Sequence, residues 1–364
     1  MNILFYISGH GFGHATRMRA IIDAILERDP SIHIDIRTSA PQILFADLPS
    51  TQCTYHQISI DGGVIEKDII TQDPRATLKQ YAEINKQRES IITNEIAFVK
   101  KNNANIIVSD IPPLASDIGQ SADIPTVACS NFSWDFNYTP YTKQYPEYKY
   151  LITDIRSSYG KTDLLLRMPF HHPMDAFPRQ QDIPLVARKP TIDPQIIRQQ
   201  LNLSADDKRP IVLITFRIDS PIFQRALTEL TSHNDLLILT YGSPATLKIN
   251  NVISLKKEWG PNQYPNLVRA SSLVVAKIGY STLAECIAAR TPLLYPPREN
   301  YPEYNLLREG AKKFLPSYLI PKDDFLEGRW YTHVIKMLQN THTFSDMSSD
   351  GAIVAAKIIC QQGN

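Results

Sequence analysis

The chain has 364 residues, too many for one compact hydrophobic core, so we expect two domains of about 150 to 190 residues each. Its 38 Lys and Arg residues against 37 Asp and Glu residues give a net charge of +1, which excludes a global attraction to nucleic acid or to an anionic membrane. With 43% hydrophobic and 21% charged residues, the composition excludes a disordered or fibrous chain.

Short β-branched runs alternate with longer helical patterns along the chain, as in parallel sheets with crossover helices. In the first half, strands are predicted over residues 2–8, 33–37, 53–58, 105–110 and 125–129, and helices over 14–28 and 76–101. In the second half, strands are predicted over 211–216, 236–241, 252–255, 273–277 and 292–295, and helices over 221–232, 282–290 and 303–312. A last helix is predicted over 351–361.

These elements predict an α/β protein with two Rossmann-like, doubly wound domains. We expect a first domain over 1–177, a linker over 178–194, a second domain over 195–345, and a C-terminal segment, 346–364, whose helix packs back on the first domain. The linker is predicted from the four prolines of residues 177–194 and their weak periodicity. Two such sheets leave a cleft at the carboxyl ends of their strands, where open α/β sheets bind ligands.

The cysteines and the apolar segments indicate in which cellular compartment the protein is expected. Four widely spaced cysteines without a CxxC pair predict reduced, mostly buried thiols and no zinc site. The apolar run 2–8 is too short for a signal peptide, and no stretch reaches the roughly 18 apolar residues of a membrane span. We therefore expect a cytoplasmic protein. The aromatic, basic segment 138–150 is compatible with an acceptor contact, a peripheral membrane contact or core packing.

Three of the fourteen glycines lie within five residues, directly after the first strand and before the first helix. Glycines at such a turn let the backbone approach a ligand, and the free N–H groups of a helix start favour negative charge. The spacing matches neither the dinucleotide fingerprint nor the Walker A loop, which disfavours hydride transfer and ATP hydrolysis. The residues assigned to this loop and to acceptor binding are Gly9, His10, Gly11, Gly13, Arg17, Asp61 and Trp134.

His14 follows this glycine loop, where a neutral imidazole could accept a proton from an incoming hydroxyl. Asp110 ends the strand 105–110 at the same edge of the predicted sheet and could orient the imidazole. Alternatively, His14 only caps its helix and Asp110 only begins a turn; the surrounding glycines favour the catalytic pair. The pair His171 and His172 lacks a metal-ligand partner at useful spacing, so we predict no metal site.

A second strand, glycine turn and helix at residues 276–285 are the predicted donor site. A diphosphate could rest against this helix start, with Lys277 neutralising its charge. Glu285 has two interpretations: a capping box with Thr282, which the spacing favours, or an acceptor for ribose hydroxyls. The residues assigned here to donor binding are Lys277, Gly279, Tyr280, Ser281, Thr282 and Glu285.

The polar, aromatic segment that follows the strand 292–295 is a further candidate for sugar binding. Arg298, Glu303 and Asn305 could hold a sugar there. An ordinary proline-stiffened turn explains the same segment, and the spacing does not separate the two interpretations.

The residues 9–17, Gly-His-Gly-Phe-Gly-His-Ala-Thr-Arg, resemble the opening of the glycosyltransferase-like domain at the N-terminus of plant L-arabinokinases and of related bacterial stand-alone proteins. The resemblance continues through residues 108–110, 131–136, 184–188 and 277–285 and so covers nearly the whole chain. The kinase half of those proteins is absent here, so sugar kinase activity does not transfer. More distantly, the chain is similar to the GT-B glycosyltransferases.

The resemblance implies the GT-B fold, in which two Rossmann-like domains face a cleft, the first taking the acceptor and the second a nucleotide-sugar. It implies that His14 is the base, Asp110 its partner and Glu285 the ribose ligand. The implied activity is that of an inverting, metal-independent hexosyl- or pentosyltransferase. Its co-substrate would be a UDP-linked sugar, with no other cofactor, and the acceptor stays unassigned.

One departure from the superfamily concerns the end of the strand 211–216. Relatives usually carry glycines there that approach the donor diphosphate, whereas this chain has Phe216 and Arg217. Bulky side chains would narrow the phosphate site, or Arg217 would replace backbone contacts with a charged fork. This departure motivates an alternative function, a non-catalytic sugar-nucleotide sensor. A GT-B-type epimerase or hydrolase is a third alternative.

Overall fold

The chain forms two compact units. The structure is a computed structural model that describes residues 1–216, 220–241, 251–256, 259–341 and 343–363. The first unit comprises Met1–Ala187, Arg298–Leu306 and Ser348–Asn364; the second comprises Arg188–Pro297 and Leu307–Met347.

A parallel sheet, seven-stranded within the described residues, forms the centre of the first unit. Its strands are β1 (Asn2–Ile7), β2 (His33–Thr38), β3 (Cys53–Gln57), β4 (Ile106–Asp110), β5 (Thr126–Ser130), β6 (Leu164–Arg167) and β7 (Gln180–Asp182), in the order β3-β2-β1-β4-β5-β6-β7. β1 is apolar along almost its whole length because both faces of a parallel sheet are covered. Ile7 pairs with Asp110, so β1 and β4 end side by side at the switch point where such sheets bind ligands.

Helices cover this sheet. They are α1 (Gly11–Arg28), α2 (Pro74–Lys86), α3 (Arg88–Lys101), α4 (Leu114–Ala122), α5 (Trp134–Gln144) and α6 (Lys149–Tyr159). Asp73 caps α2 by accepting a hydrogen bond from the Ala76 amide. The single helix predicted over 76–101 is therefore two helices separated at Gln87, and the break brings Arg88 to the buried carboxylate of Asp117, 2.8 Å away.

The second unit contains a parallel sheet of the same winding, with six strands in the part of the chain described. They are β8 (Ile211–Ile214), β9 (Leu237–Tyr241), β10 (Val252–Leu255), β11 (Leu273–Val275), β12 (Leu293–Tyr295) and β13 (Ser317–Leu319), in the order β10-β9-β8-β11-β12-β13. The helices are α7 (Pro194–Gln200), α8 (Pro221–Thr231), α9 (Tyr264–Ala270), α10 (Tyr280–Ala289), α11 (Tyr304–Phe314), α12 (Lys322–Glu327) and α13 (Tyr331–Gln339). The first residues of α11 are counted with the first unit. The predicted pair of doubly wound α/β sheets is confirmed.

The borders of the units differ from the expected domain limits. The division falls after Ala187, inside the expected linker, and β7 also lies there as an edge strand. Residues 298–306, expected in the second domain, belong to the first unit because backbone bonds tie them to it: the Glu299 amide donates to the Ile70 carbonyl (3.0 Å) and the Gln72 amide to the Glu299 carbonyl (3.1 Å).

The C-terminal helix α14 (Gly351–Gln362) belongs to the first unit and packs on α1. The Gly351 amide donates to the Leu185 carbonyl at 3.1 Å. A Cβ atom on Gly351 would lie 2.1 Å from the Pro184 carbonyl oxygen, so glycine permits this close approach.

Three sequence expectations concern thiols, the aromatic segment and membrane spans. All four cysteines are unpaired, with Cys53 half-buried and the others buried. In the segment 138–150, Tyr138 and Tyr141 are buried in the core, whereas Tyr150 is exposed. None of the helices in the described residues combines the length and apolar character that crossing a bilayer requires.

We expect Gly351→Ala to lower the free energy of unfolding by about 1 to 3 kcal/mol, because the new methyl group meets rigid backbone. Gly160→Ala is the matched control: its Cβ would be at ordinary contact distance, 3.4 Å from the Arg156 carbonyl oxygen. Urea unfolding of both variants measures the difference. Equal stability of the two would contradict this account of how α14 is anchored.

Candidate active site

The glycine loop joins β1 to α1 by a close turn over the sheet edge. The Ser8 amide donates to the Asp110 carbonyl at 2.7 Å. Gly11 has a φ of +68°, a conformation that favours glycine, and a Cβ on Gly9 would collide with the Ser39 hydroxyl at 1.8 Å. α1 begins at Gly11, three residues earlier than predicted, so His14 lies in its first turn rather than at its start.

The structure brings His14 and Asp110 together. His14 is 6% exposed, Asp110 is fully buried, and Nδ1 of His14 lies 3.1 Å from Oδ1 of Asp110. The helix N-cap is His10, so His14 is not the cap that the alternative interpretation requires. Phe132 packs edge-on against the His14 ring, with 5.5 Å between the ring centroids.

Arg17 completes a buried triad with these two residues. It lies one helical turn after His14, on the same face of α1. Its guanidinium binds both oxygens of Asp110, since Nε donates to Oδ2 at 2.6 Å and Nη2 donates to Oδ1. Burial by itself would raise the pKa of Asp110, but the Arg17 guanidinium, the neighbouring His14 and the hydrogen bonds from both outweigh it and hold that pKa below its usual value. Asp110 is therefore a carboxylate at neutral pH.

Polar groups after β5 extend the triad. Nη1 of Arg17 donates to Oδ1 of Asn131 at 2.7 Å, and Nη2 lies 3.1 Å from the Ser130 hydroxyl. Nδ2 of Asn131 donates to Oε2 of Glu303 (3.0 Å), and Nδ2 of Asn137 to Oε1 (3.2 Å). Glu303, predicted as a sugar ligand, is 3% exposed and lies in this network. Sequence reasoning missed Ser130, Asn131 and Asn137 as site residues, although the polar pair Ser130 and Asn131 at the end of a buried strand was a usable signal.

A second buried carboxylate lies beneath the glycine loop. Oδ2 of Asp61 accepts a hydrogen bond from Nε1 of Trp134 at 3.2 Å. Burial raises the pKa of Asp61, while hydrogen bonds from Ser8 and Trp134 and the nearby His14 offset part of the effect. Trp134, predicted at the acceptor surface, has no exposed area and instead supports Asp61. His10 accepts a hydrogen bond from the Val64 amide at 3.3 Å.

In the second unit, α10 begins at Tyr280 with Gly279 as its N-cap, and no side chain in the described residues caps it. The predicted capping box between Thr282 and Glu285 is therefore wrong, because the helix starts two residues before Thr282. Glu285 is instead buried against Arg188, whose Nε donates to Oε1 at 2.7 Å. Burial raises the pKa of Glu285, and Arg188 opposes that rise.

Two tyrosine hydroxyls lie near this ion pair. Those of Tyr241 and Tyr264 are buried and have no hydrogen-bond partner within the described part of the chain. Burial raises the pKa of both, and the charges of Glu285 and Arg188 act on both. A buried hydroxyl without a partner is costly, so this region of the second unit has unused capacity to bind a polar ligand.

The remaining predicted donor residues are spread over both units. At the start of α10, Lys277, Ser281 and Thr282 are half-buried, and a Cβ built on Gly279 has no described atom within 4 Å. Arg298 lies in the first unit, where Nη2 donates to Glu66 at 3.0 Å and the guanidinium stacks on Tyr301. Asn305 is exposed. Arg217 lies outside the described residues. Across the ranges that the structure describes, no group of three His, Cys, Asp or Glu side chains could hold a metal ion.

The raised pKa of Asp61 predicts a pH effect on stability. The folded state keeps this proton to higher pH than the unfolded chain, so the contribution of Asp61 to stability is full below about pH 4 and is lost as pH rises through the raised pKa. Asp61→Asn keeps an oxygen acceptor for Trp134 and removes the ionisation. The free energy of unfolding of Asp61→Asn minus that of the wild type should therefore rise with pH.

Urea unfolding between about pH 4 and pH 8 measures this difference. Asp206→Asn, at an exposed position, is the control and should show no such trend. A constant difference between Asp61→Asn and wild type over this range would contradict the raised pKa.

The buried Arg188–Glu285 pair predicts strong coupling. Arg188→Met leaves the Glu285 carboxylate buried without its cation and should cost about 3 to 5 kcal/mol, whereas Arg188→Met with Glu285→Met should cost less than the sum of the single changes. The exposed pair Lys86 and Glu83 is the control, with a coupling of about 1 kcal/mol or less. Additive losses at Arg188 and Glu285 would show that the ion pair does not form.

Comparisons with known proteins identify a family and relatives that share this architecture. The model of glycosyl transferase family 1 matches residues 1–305. L-arabinokinase from Arabidopsis thaliana is 27% identical over 355 residues, which are 96% of this chain and 33% of that protein. The chain thus spans about a third of the length of this curated relative.

Solved structures show the same fold at low identity. A spinosyn rhamnosyltransferase complexed with thymidine diphosphate is 13% identical with a TM-score of 0.63, covering 100% of this chain and 96% of that one. A UDP-glucosyltransferase from Polygonum tinctorium is 12% identical with a TM-score of 0.61, covering 100% and 93%. With two doubly wound sheets of GT-B type and a family match over most of its length, the chain belongs to glycosyl transferase family 1.

Proposed function

We propose that the protein transfers a sugar from a nucleoside-diphosphate sugar, UDP-linked, to an acceptor hydroxyl, with inversion at the anomeric carbon and without a metal ion. The observation that carries the proposal is the contact of His14 with the buried, ionised Asp110 at the adjoining ends of β1 and β4. A histidine oriented by a carboxylate in a glycine-lined turn is the arrangement that general base catalysis requires.

The proposed reaction exchanges one bond at the anomeric carbon and transfers one proton. The acceptor oxygen attacks the anomeric carbon, its proton passes to Nε2 of His14, and the bond from that carbon to the donor phosphate breaks. Asp110 stabilises the imidazolium that forms, as its carboxylate faces Nδ1. Attack opposite to the leaving group inverts the anomeric carbon.

The second unit is proposed to hold the donor. A diphosphate at the start of α10 would face backbone N–H groups, the open space at Gly279 and the charge of Lys277. These groups would place positive potential at the diphosphate without a metal ion. Glu285 and the hydroxyls of Tyr241 and Tyr264 would bind ribose hydroxyls, with Arg188 retaining one carboxylate oxygen.

Two relatives support a nucleoside-diphosphate donor. The spinosyn rhamnosyltransferase was solved with thymidine diphosphate, and the Polygonum tinctorium enzyme is a UDP-glucosyltransferase. Both have the fold of this chain. The choice of UDP and the sugar class, hexose or pentose, are part of the proposal, and the acceptor is left open.

His14→Ala should lower turnover by about 10² to 10⁴-fold, the usual contribution of a general base. The melting temperature and its rise with the donor should be retained, because the residues proposed to hold the diphosphate and the ribose lie in the second unit. A thermal-shift panel of nucleoside diphosphates and their sugar conjugates selects the donor, and release of nucleoside diphosphate with candidate acceptors then gives turnover.

His171→Ala is the matched control, since His171 is a half-buried histidine of the same unit outside the triad, and it should leave turnover unchanged. Wild-type turnover in His14→Ala would remove His14 from the mechanism. A sugar nucleotide that binds without any transfer or hydrolysis would favour the non-catalytic sensor, and hydrolysis or epimerisation without acceptor would favour the third function.

A further inference from the structure

We infer that Arg17 and Ser130 are positioning residues that fix the tautomer of His14. Ser130 holds a hydrogen of the Arg17 guanidinium away from His14, so that His14 carries its proton on Nδ1 and keeps Nε2 free to accept one. The consequence for turnover rests on the proposed function of His14 as the base. The tautomer itself does not depend on that function.

Glu303 holds the far end of the Arg17 guanidinium through Asn131. A carboxylate only accepts hydrogen bonds, so Asn131 turns its NH2 group to Glu303, 3.0 Å away. The amide oxygen of Asn131 then faces the other way and accepts from Nη1 of Arg17 at 2.7 Å. The hydrogen bonds therefore run in one direction, from Arg17 to Asn131 and from Asn131 to Glu303. They hold Nη1 of the guanidinium in place.

Among the described contacts of Arg17, three acceptors lie close to the two hydrogens of Nη2. They are Oδ1 of Asp110, the Ser130 hydroxyl at 3.1 Å and Nδ1 of His14, also at 3.1 Å. Nε of Arg17 donates to Oδ2 of Asp110, which aligns the guanidinium with the carboxylate. The first Nη2 hydrogen is therefore donated to Oδ1 of Asp110. The second hydrogen goes to Ser130 or to His14.

Counting hydrogen bonds decides between these two arrangements. If the second hydrogen goes to Ser130, Nδ1 of His14 is free to donate its own proton to Oδ1 of Asp110, 3.1 Å away, and two bonds form. If it goes to His14, Nδ1 must be unprotonated, the bond to Asp110 is lost, and one bond forms. Each of these bonds involves an ionised partner, Arg17 or Asp110, so the number of bonds decides which arrangement is favoured.

The tautomer of His14 follows. A neutral imidazole carries one N–H, so a proton on Nδ1 leaves the lone pair on Nε2. The opposite arrangement would place the proton on Nε2. That atom could then not take up the proton of the acceptor hydroxyl. Ser130 therefore controls the base without touching the substrate.

Ser130→Ala tests the inference because it removes the hydroxyl acceptor and leaves Nδ1 of His14 facing Nη2. One bond then forms in either arrangement, and both tautomers should be populated. In ¹⁵N-histidine NMR, wild type should show His14 protonated on Nδ1 and unprotonated on Nε2. Ser130→Ala should show a mixed signal. Its turnover should fall about two-fold or more, because only the molecules with Nε2 unprotonated can accept the proton. The donor KM should not change.

Controls separate this effect from general damage. His14→Gln identifies the His14 signals among the nine histidines. Ser130→Thr keeps a hydroxyl and should retain the wild-type tautomer, and Ser116→Ala removes a different buried hydroxyl, one that bonds to Thr162, and should leave it unchanged. If Ser130→Thr fails to fold, the wild-type tautomer and the comparison of Ser130→Ala with Ser116→Ala still test the inference.

A proton on Nε2 in wild type, or an unchanged tautomer in Ser130→Ala, would overturn the inference. The NMR measurement uses the protein without donor or acceptor. Wild-type protein that shows the expected tautomers but no transfer therefore supports the positioning role while counting against the proposed transferase.

Discussion

The ion pair between Arg17 and Asp110 is the interaction on which the first unit's site depends. Both groups are buried, and a lone charge at either position would be strongly unfavourable. Together they tie α1 to the end of β4, and Ser130 and Asn131 connect them to β5. Because Arg17 also holds the pKa of Asp110 down, the carboxylate beside His14 stays ionised. The same contact thus provides rigidity and the charge that orients the imidazole.

The second unit uses the same physical arrangement for a different purpose. Glu285 is buried on α10 and paired with Arg188, as Asp110 is with Arg17. The surroundings differ: both carboxylate oxygens of Asp110 are engaged by Arg17 and His14, whereas two tyrosine hydroxyls near Glu285 lack partners in the described residues. An engaged carboxylate suits a fixed catalytic orientation, and unused hydroxyls suit a ligand that brings its own hydroxyl groups.

Apolar runs made the central strands predictable, because a strand buried on both faces reads as a continuous hydrophobic stretch. β7 escaped prediction since Gln180–Asp182 is polar and lies at a sheet edge. In the site, the pairing of His14 with Asp110 could be predicted from two strands that end at one edge. The partners of Arg17, Glu285 and Glu303 could not, because these side chains lie within helices or in a turn, where the order of strand ends does not specify which distant side chains meet.

Neutron diffraction from deuterium-exchanged crystals of the wild-type protein tests the central claim most directly, because it locates each exchangeable hydrogen around Arg17. The account predicts deuterium on Nδ1 of His14 directed at Asp110, none on Nε2, and the second Nη2 deuterium directed at Ser130. Deuterium on Nε2 of His14, with Nη2 of Arg17 directed at Nδ1, would contradict it.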